Sequence, residues 1–451
     1  MMILDTIVAP ATNIAQQALA IIRLSGPDSF SIINKLIKKP IEKNRQVNFR
    51  HLYLKGKIID QVVVTSFVSP NSFTGEDVVE INCHGGVLVT NQVIQALINS
   101  GARMALPGEF SQRAFLNDKI NLIQAEAIND LITAKNQFAS DLAIRNMSSK
   151  KNPGINKMKE ILLDVISRIQ TSIDYPEYDD IEGSSNDELI RELEKLIKIT
   201  EDAIFKSNLA SKSVTGIKTA IIGETNVGKS SILNCLLNEE KAIVSNVAGT
   251  TRDLVEGEIS FENITLRLID TAGIRETNDD IESAGIRKSY QTLKEADLII
   301  HVFDSSSKNY LVEDKLLELM NSKTVITVFN KSELISNEQK KAIIKRYPEA
   351  VFCSAQNNEI DELLNKIKKQ YDFGNILQSD DLIISNINQI SLLKNIENKL
   401  KIAYNNFKSG FTVDMINFDL YEAWNELNNL LGESYEEEII DNIFRKYCLG
   451  K

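Results

Sequence analysis

The sequence has few cysteines and histidines and no long apolar segment. Its four cysteines, Cys83, Cys235, Cys353 and Cys448, stand singly without a Cys-x-x-Cys pair, and with only three histidines they offer no zinc-binding spacing. No apolar run reaches the roughly 18 residues that indicate a membrane span. The first residues, Met-Met-Ile-Leu-Asp-Thr, lack the basic flank and apolar stretch of a secretion signal. These absences predict a cytoplasmic protein with reduced thiols and no membrane partner.

Net charge and length further limit the classes of protein to which the chain can belong. The net charge of −11 argues against a basic protein that coats nucleic acid, although it permits a local basic patch on an acidic body. The 451 residues suffice for about three domains of roughly 150 residues each.

The hydrophobic pattern changes three times along the chain. Up to about residue 117, β-type runs at 61–68 and 78–81 and a helical pattern near Val87–Asn99 predict an α+β domain. From Ile120 the apolar spacing is helical, and it is helical again after about residue 380. Between these segments strands alternate with helices, which predicts a mostly parallel, doubly wound domain inserted between two halves of a helical domain. Its predicted strands are 217–222, 266–269, 298–303, 325–329 and 350–353.

One segment of the inserted domain predicts a nucleotide site. Residues 223–231, Gly-Glu-Thr-Asn-Val-Gly-Lys-Ser-Ser, match the pattern G-x-x-x-x-G-K-[ST] between a predicted buried strand and a helix that begins near Ser231. In that setting backbone N–H groups surround a phosphate, and the helix N-terminus adds a partial positive charge. Lys229 would reach the outer phosphates and Ser230 would bind Mg²⁺. The complete motif in this setting disfavours the alternative, a plain glycine turn.

Four further elements follow at the spacing of a GTPase. Thr251, in Gly-Thr-Thr-Arg-Asp, offers Mg²⁺ a second hydroxyl, and Asp270, in Asp-Thr-Ala-Gly, can hold a Mg²⁺-bound water. Asn-Lys-Ser-Glu at 330–333 has the position of a guanine-binding loop, and Ser-Ala at 354–355 follows the next strand. Each element is weak alone, but four in order predict GTP. The predicted GTP-binding residues are Asn226, Val227, Gly228, Lys229, Ser230, Ser231, Ser245, Asn246, Val247, Ala248, Gly249, Thr250, Thr251, Asp270, Thr271, Ala272, Gly273, Asn330, Lys331, Glu333, Ser354 and Ala355.

Two positions depart from common GTPase patterns. Glu333 stands where a guanine-binding loop usually has Asp, so its carboxylate can still accept the base N–H groups but one extra methylene must fit. Ile274 stands where many switch GTPases carry a water-positioning Gln, so another polar residue must orient the water. The sequence identifies no arginine finger. Oxygen donors from Asn226 and the 245–250 loop would suit an alkali ion such as K⁺ in its place.

Four motifs outside the nucleotide domain are more specific. They are Ser-Phe-Thr-Gly-Glu-Asp-Val-Val-Glu-Ile at 72–81, Cys-His-Gly-Gly at 83–86, Pro-Gly-Glu-Phe-Ser-Gln-Arg-Ala-Phe-Leu-Asn-Asp-Lys at 107–119, and Cys-Leu-Gly-Lys at 448–451. Together with the inserted nucleotide domain, they resemble the motifs of the MnmE (TrmE) family of tRNA modification GTPases over nearly the whole chain.

The resemblance implies a multidomain fold. It combines an α+β, tetrahydrofolate-binding-like N-terminal domain, an all-α central domain and an α/β P-loop GTPase domain inserted in the helical domain. The expected ranges are 1–118 for the folate-binding and dimerisation domain, 119–212 and 375–451 for the two helical parts, and 213–374 for the inserted G domain.

The resemblance also implies a function. It is K⁺-activated GTP hydrolysis coupled to carboxymethylaminomethyl or aminomethyl addition at C5 of the wobble uridine of tRNA. A homodimer would act in a heterotetramer with a flavin-dependent partner, and 5-formyl- or methylene-tetrahydrofolate would supply the one-carbon unit. By motif position, Asn226, Ser245, Val247 and Thr250 hold K⁺, Ser230 and Thr251 hold Mg²⁺, Glu282, Thr251 and Cys448 are catalytic, and Arg23, Glu80, Lys119 and Lys451 bind the folate.

Several alternatives stay open at this point. Cys448 is either a nucleophile, with Arg445, Lys446 and Lys451 lowering its pKa, or a small packed side chain. Residues 13–18, Asn-Ile-Ala-Gln-Gln-Ala, lack the glycines of the family, which leaves room for a dimer with a decayed folate site. The alternative function is a GTP-dependent ribosome or RNA assembly switch without covalent RNA chemistry. Such factors usually append an RNA-binding module, and none is evident after residue 372.

Overall fold

The computed structural model of the chain divides into two compact units. Met1–Asn129, Asn146–Ser148 and Phe418–Lys451 belong to the first, and Asp130–Arg145 and Ser149–Asn417 belong to the second. Among the helices that the structure describes, none combines the length and the apolar character that a membrane crossing requires. The described residues are 5–148, 153–174, 186–237, 243–245, 255–269, 293–307, 310, 317–318, 320, 323–371, 376–378, 381–433 and 450.

A mixed sheet forms the centre of the first unit. Its strands are β1 (Ile7–Pro10), β2 (Leu19–Ser25), β3 (Gln46–Leu54), β4 (Lys57–Phe67), β5 (Val78–His84) and β6 (Arg103–Met104). Their order is β3-β4-β5-β2-β1-β6, and neighbours are antiparallel except β1 and β6. Because side chains alternate along a strand, Val62, Val64 and Ile81 face one side. Helices α1 (Ser29–Asn34) and α2 (Val87–Asn99) cover that side and share its core. The predicted α+β domain is confirmed in these elements, and α2 has the predicted bounds.

A glycine lets three helix ends of the first unit approach one another. They belong to α3 (Glu109–Leu116), α4 (Leu122–Thr133) and a helix, numbered α12 below, over Val413–Leu431. Gly432 follows the last of these with φ +86°, and a Cβ on it would lie 2.6 Å from the Phe115 ring and 3.2 Å from Leu122 Cβ. Only glycine accepts this conformation and this contact.

The second unit contains a doubly wound sheet. Its strands are β7 (Ile217–Ile222), β8 (Ile243–Ser245), β9 (Val255–Phe261), β10 (Ile264–Ile269), β11 (Leu298–Asp304), β12 (Thr324–Asn330) and β13 (Val351–Phe352). The order is β13-β12-β11-β7-β10-β9-β8, parallel from β13 to β10 and antiparallel at β9 and β8. Helices α8 (Lys229–Leu237), α9 (Asn337–Arg346) and α10 (Asp361–Gln370) follow β7, β12 and β13.

The strand predictions for this sheet are confirmed with small changes of bounds. The strand predicted at 350–353 is the shorter β13, and α8 begins at Lys229, two residues before the predicted Ser231. Ser245, predicted in a loop, is the last residue of strand β8, so that expectation was wrong. The antiparallel β8 and β9 were not predicted, because β9 carries Glu256, Gly257 and Glu258 and lacks a parallel strand's continuous apolar run.

Long helices complete the second unit. They are α6 (Pro153–Asp174), α7 (Asn186–Thr215), α11 (Ile387–Lys408), the helix α5 (Gln137–Ser148) up to Arg145, and the first residues of α12 (Val413–Leu431). Helix α7, which precedes the sheet in sequence, packs against α6 and against α11, which follows the sheet. The Ile384 N–H donates to Ser207 Oγ of α7 at 3.0 Å. A Cβ on Gly154 of α6 would lie 2.5 Å from the Leu382 nitrogen, so these segments are in close contact.

The start of α5 is fixed on the β9–β10 hairpin. Asn136 Nδ2 donates to the Ser213 carbonyl at 2.9 Å and to Thr265 Oγ1 at 3.0 Å, while its Oδ1 accepts from the Ala139 N–H at 2.8 Å. Lys135 forms an ion pair with the buried Glu258 of β9. Phe138 and Leu142 lie in the same core cluster as the residues of the sheet. The side chains of α5 therefore belong to the core of the nucleotide domain as well as to the helical region.

Candidate nucleotide-binding and N-terminal sites

The predicted phosphate-binding loop lies between β7 and α8. Gly223 has φ +153°, and a Cβ on it would lie 2.3 Å from the Val302 carbonyl oxygen. Gly228 has φ +93°, and a Cβ there would lie 2.2 Å from Asn330 Nδ2. Asn226, between them, has the left-handed φ of +63°. Side chains at the two glycines would collide with neighbouring strand ends, so the loop requires both glycines.

Lys229 is the first residue of α8 and turns back over the loop. Its Nζ donates to the Gly223 carbonyl at 3.0 Å and to the Glu224 carbonyl at 2.6 Å. The hydroxyls of Ser230 and Ser231 lie in the first helical turn on exposed residues. This places an ammonium group and a hydroxyl group at a helix N-terminus, which is the arrangement that binds anions.

Asn330 joins three segments of the predicted nucleotide site. It ends β12 and is 2% exposed. Its Nδ2 donates to the Val227 carbonyl of the phosphate-binding loop at 3.0 Å, and its Oδ1 accepts from the Ala355 N–H at 3.1 Å. The structure therefore brings together the loops at 223–231, 330–333 and 354–355, as the sequence analysis predicts.

Lys331 makes a second connection between the same loops. Its main chain is left-handed, with φ +61°, and its Nζ donates to the Asn226 carbonyl at 2.8 Å. The same Nζ lies 2.6 Å from Asp304 Oδ2 at the end of β11. Burial would raise the pKa of Asp304, but hydrogen bonds from Lys331 and Ser306 hold that pKa below its usual value. Asp304 is not among the residues predicted from the sequence, although it directly follows the predicted strand 298–303, which was a usable signal.

Ser354 is buried and Ala355 partly buried, whereas Glu333 is exposed. Ser354 is fully buried, and its N–H donates to the Glu359 carbonyl at 3.0 Å. Cys235 Sγ, on α8, donates to the Ala355 carbonyl at 3.2 Å, so the helix after the phosphate-binding loop also supports this loop. Glu333 lies in a short 3₁₀ turn, Ser332–Leu334, directly after β12. The extra methylene of Glu333 therefore lies on an exposed residue.

A second cluster lies on the sheet of the first unit. Arg23 of β2 and Glu80 of β5 are register partners, and Arg23 Nε donates to Glu80 Oε1 at 2.9 Å. Arg23 Nη1 donates to the Gly450 carbonyl at 3.3 Å, and a Cβ on Gly450 would lie 2.2 Å from the Pro10 carbonyl oxygen. Two of the predicted folate residues and Gly450 thus meet, whereas Lys119 donates to the Pro70 carbonyl at 2.8 Å.

Several predicted site residues lie outside the described part of the chain. For Ser245 only the main chain is described, as the end of β8. The others are Asn246, Val247, Ala248, Gly249, Thr250, Thr251, Asp270, Thr271, Ala272, Gly273, Glu282, Cys448 and Lys451.

The comparisons with known proteins cover the whole chain. The model of the MnmE helical domain matches residues 122–448, and that of the GTP-binding protein TrmE N-terminus matches residues 6–119. The tRNA modification GTPase MnmE of Mycoplasma mycoides subsp. mycoides SC is 54% identical over 452 residues, with 100% of both chains covered. The chain belongs to the MnmE family of tRNA modification GTPases.

Further similarities support the assignment to the MnmE family. The tRNA modification GTPase MnmE of Mesoplasma florum is 52% identical, with 99% of each chain covered. Among solved structures, the G domain of the T. maritima FeoB iron transporter is 26% identical and covers 35% of this chain and 98% of its own, with a TM-score of 0.24. That low score supports no structural argument. Membership of the MnmE family confirms the predicted resemblance, the multidomain fold and a GTP hydrolase of tRNA modification.

The motifs at 72–81 and 107–119 that indicated the MnmE family contain a buried charge network. Arg113 is 1% exposed and forms ion pairs with Asp5, Glu76 and Glu109 at 2.6, 3.2 and 3.0 Å. Burial would raise the pKa of Glu109, but hydrogen bonds from Arg103, the Leu106 N–H and Arg113 hold that pKa below its usual value. These motif residues support the fold of the N-terminal domain, because removing one partner leaves a buried charge unpaired.

Three of the four cysteines are described, and all three are buried free thiols: Cys83, Cys235 and Cys353. Burial raises the pKa of Cys83 to about 11 and that of Cys353 to about 12. In the described ranges no group of three or more His, Cys, Asp or Glu side chains could hold a metal ion.

Proposed function

We propose that the protein hydrolyses GTP in order to drive carboxymethylaminomethyl or aminomethyl addition at C5 of the wobble uridine of tRNA. The observation that carries the proposal is the junction at Asn330, which binds both the phosphate-binding loop and the Ala355 loop. A junction of this kind fixes the distance between a phosphate site and a base site. Membership of the MnmE family supplies the RNA target.

Within the nucleotide site, we assign each role by chemistry. Lys229 neutralises the outer phosphates, and Ser230 with Thr251 would hold Mg²⁺, which stabilises the charge that develops on the transferred phosphoryl group. Glu333 accepts the guanine N–H groups. If GTP and ATP compete equally for the full-length protein, the guanine assignment is wrong.

K⁺ activation is the second part of the proposal. Asn226, Ser245, Val247 and Thr250 are assigned as the ligands of K⁺, and Glu282 orients the attacking water. Asn226 supports this because its exposed amide lies on a loop residue with positive φ, where a side-chain oxygen can approach the phosphates. We expect faster hydrolysis in K⁺ than in Na⁺ at equal ionic strength. Asn226→Ala should remove that difference, and equal rates for the wild type in both salts would contradict the assignment.

The folate site is assigned to Arg23, Glu80, Lys119 and Lys451. The support is the cluster in which Arg23 binds both Glu80 and the Gly450 carbonyl, because guanidinium groups bind carboxylates such as a folate tail. We expect Arg23→Met to weaken binding of 5-formyltetrahydrofolate about tenfold or more. Arg50→Met is the matched control, since Arg50 lies on β3 of the same sheet and binds the Lys39 carbonyl. Equal affinity of the two variants would refute the assignment.

The assembly and the domain limits are also part of the proposal. We assign a cytoplasmic homodimer that acts with a flavin-dependent partner in a heterotetramer, and domains at 1–118, 119–212, 213–374 and 375–451. Packing of α7 against α11, which flank the nucleotide sheet in sequence, supports the insertion. Cys448 is assigned a direct chemical role in the modification. If the Cys448→Ser variant modifies tRNA normally, that assignment is wrong.

Mass spectrometry of tRNA nucleosides tests the proposal as a whole. Cells without the protein should lack the modified wobble uridine, and the wild-type gene should restore it. A gene with Lys229→Ala should not restore the modified uridine. A gene with Lys345→Ala should restore it, because Lys345 is an exposed residue of α9. Unchanged nucleosides in the deletion strain would contradict the proposal and would favour the ribosome-assembly alternative.

A further inference from the structure

We infer that Asp304 is a positioning residue of the nucleotide site, because it holds Lys331 between the guanine-binding loop and the phosphate-binding loop. The inference rests on the nucleotide site proposed above. Asp304 is the last residue of β11, and its register partner in the parallel strand β12 is Asn330. The carboxyl ends of the two strands therefore place a carboxylate beside the residue that follows Asn330.

Lys331 has two acceptors in the structure. Its Nζ lies 2.6 Å from Asp304 Oδ2 and 2.8 Å from the Asn226 carbonyl. A lysine side chain has several rotatable bonds, so fixing it costs conformational entropy. The carboxylate offsets this cost before a nucleotide binds, because it retains the ammonium in one place.

The Asp304 carboxylate is itself held in place. Its Oδ1 accepts from the Ser306 N–H at 2.9 Å and from Ser306 Oγ at 2.6 Å, which leaves Oδ2 directed to Lys331. Each oxygen thus has its own donors, which restrict the rotation of the carboxylate. A group that is fixed in this way can orient a flexible neighbour.

Through Lys331, Asp304 acts on the phosphate-binding loop. The Asn226 carbonyl belongs to a residue in the left-handed conformation, and Lys331 binds it from the guanine side. Loss of Asp304 should therefore weaken nucleotide binding through Lys331. It should change the hydrolytic step less, because Lys331 binds the main-chain carbonyl of Asn226, whereas the proposed K⁺ ligand is the side-chain amide of that residue. The expected signature is a higher KM and Kd with an unchanged kcat.

The test uses the full-length protein and a fluorescent GDP. We expect Asp304→Asn to raise the Kd of GDP about tenfold and to change kcat less than about twofold. Partial exposure of the ion pair limits the loss of affinity. Asp297→Asn is the matched control. Asp297 precedes β11 at its opposite end, pairs with Lys212 at 3.3 Å and is comparably exposed. We expect this control to leave the Kd unchanged.

A double variant separates positioning from a general effect on the fold. Lys331→Met should weaken GDP binding, and adding Asp304→Asn should weaken it no further, because Asp304 acts through Lys331. Asp304→Glu, which keeps a carboxylate, should bind GDP more tightly than Asp304→Asn. Additive losses in the double variant, equal affinities of the Glu and Asn variants, or an unchanged Kd for Asp304→Asn would each overturn the inference. Failure of the proposed site itself would appear differently, as no loss with Lys331→Met or as equal affinity of the wild type for GDP and ADP.

Discussion

At the scale of single residues, the nucleotide site depends on short polar contacts between loops that are distant in sequence. Asn330 reaches the loop at Val227 and the loop at Ala355 from one buried position. Its amide has both a donor and an acceptor group, and each is used. Replacing it with a residue that has only one kind of group would leave a buried polar atom unpaired, which costs about 1–3 kcal/mol.

The buried thiols give a prediction about reactivity. Cys83 and Cys353 have pKa values raised by burial to about 11 and about 12, so at pH 8 about one molecule in a thousand or fewer carries the thiolate. We expect iodoacetamide at pH 8 to leave both unmodified in the native protein, as peptide mass spectrometry would show. Protein unfolded in urea is the control. Similar alkylation rates in the native and unfolded states would contradict the burial of the two thiols.

The same raised pKa values have a consequence for stability. Because the folded state disfavours both thiolates, the contribution of these thiols to stability is complete below the ordinary thiol pKa. It is lost as the pH rises through about 11 for Cys83 and about 12 for Cys353. They therefore make no pH-dependent contribution between pH 5 and pH 8.

At the scale of elements, the stability that the contact of α5 with the β9–β10 hairpin contributes can be compared with that of an ordinary helix cap. Asn136→Ala removes the bond to the Ala139 N–H and two bonds to Ser213 and Thr265. We expect a loss of about 2–3 kcal/mol of unfolding free energy, measured by thermal or denaturant unfolding.

Ser336→Ala is the matched control for that variant. Ser336 caps α9 through a capping box, and its side chain accepts from the Gln339 N–H. Removing a cap alone costs about 1 kcal/mol. If the two variants lose equal stability, the hairpin contact of Asn136 contributes nothing measurable.

The elements also show what the sequence can and cannot specify. The buried parallel strands and α2 are predictable because their apolar periodicity is strong. The antiparallel β8 and β9 are not, since β8 has only three residues and β9 carries Glu256, Gly257 and Glu258. In the site, motif spacing located Asn330 and Lys331 but not Asp304, whose pairing with Asn330 is set by the register of β11 with β12. Tertiary contacts such as that of Lys119 with the Pro70 carbonyl have no local signature.

At the scale of the whole molecule, the core of the nucleotide sheet extends beyond the range 213–374. Phe138, Leu142, Ala210 and Ile383 belong to the same buried cluster as the strands. Burial of a side chain such as Phe or Leu contributes about 1.5–3 kcal/mol. A fragment with residues 213–374 alone would leave these side chains behind and expose the apolar surface that they cover.

This shared core predicts the behaviour of fragments. We expect residues 213–374 to unfold at a temperature about 10 °C lower than residues 130–417, which include the four side chains. Calorimetry measures both, and GDP should be absent from both samples. Equal melting temperatures would show that the sheet is stable without α5 and its neighbours.

The same feature constrains how the nucleotide domain can vary among relatives. Side chains that fill one core must be exchanged together, since a larger group on one side requires a smaller group on the other. Phe138 and Leu142 lie far in sequence from Phe261 and Ile264, yet all four share that core. Their sizes should therefore covary between family members, and a chimera that receives a foreign nucleotide domain should need matching residues at 138 and 142.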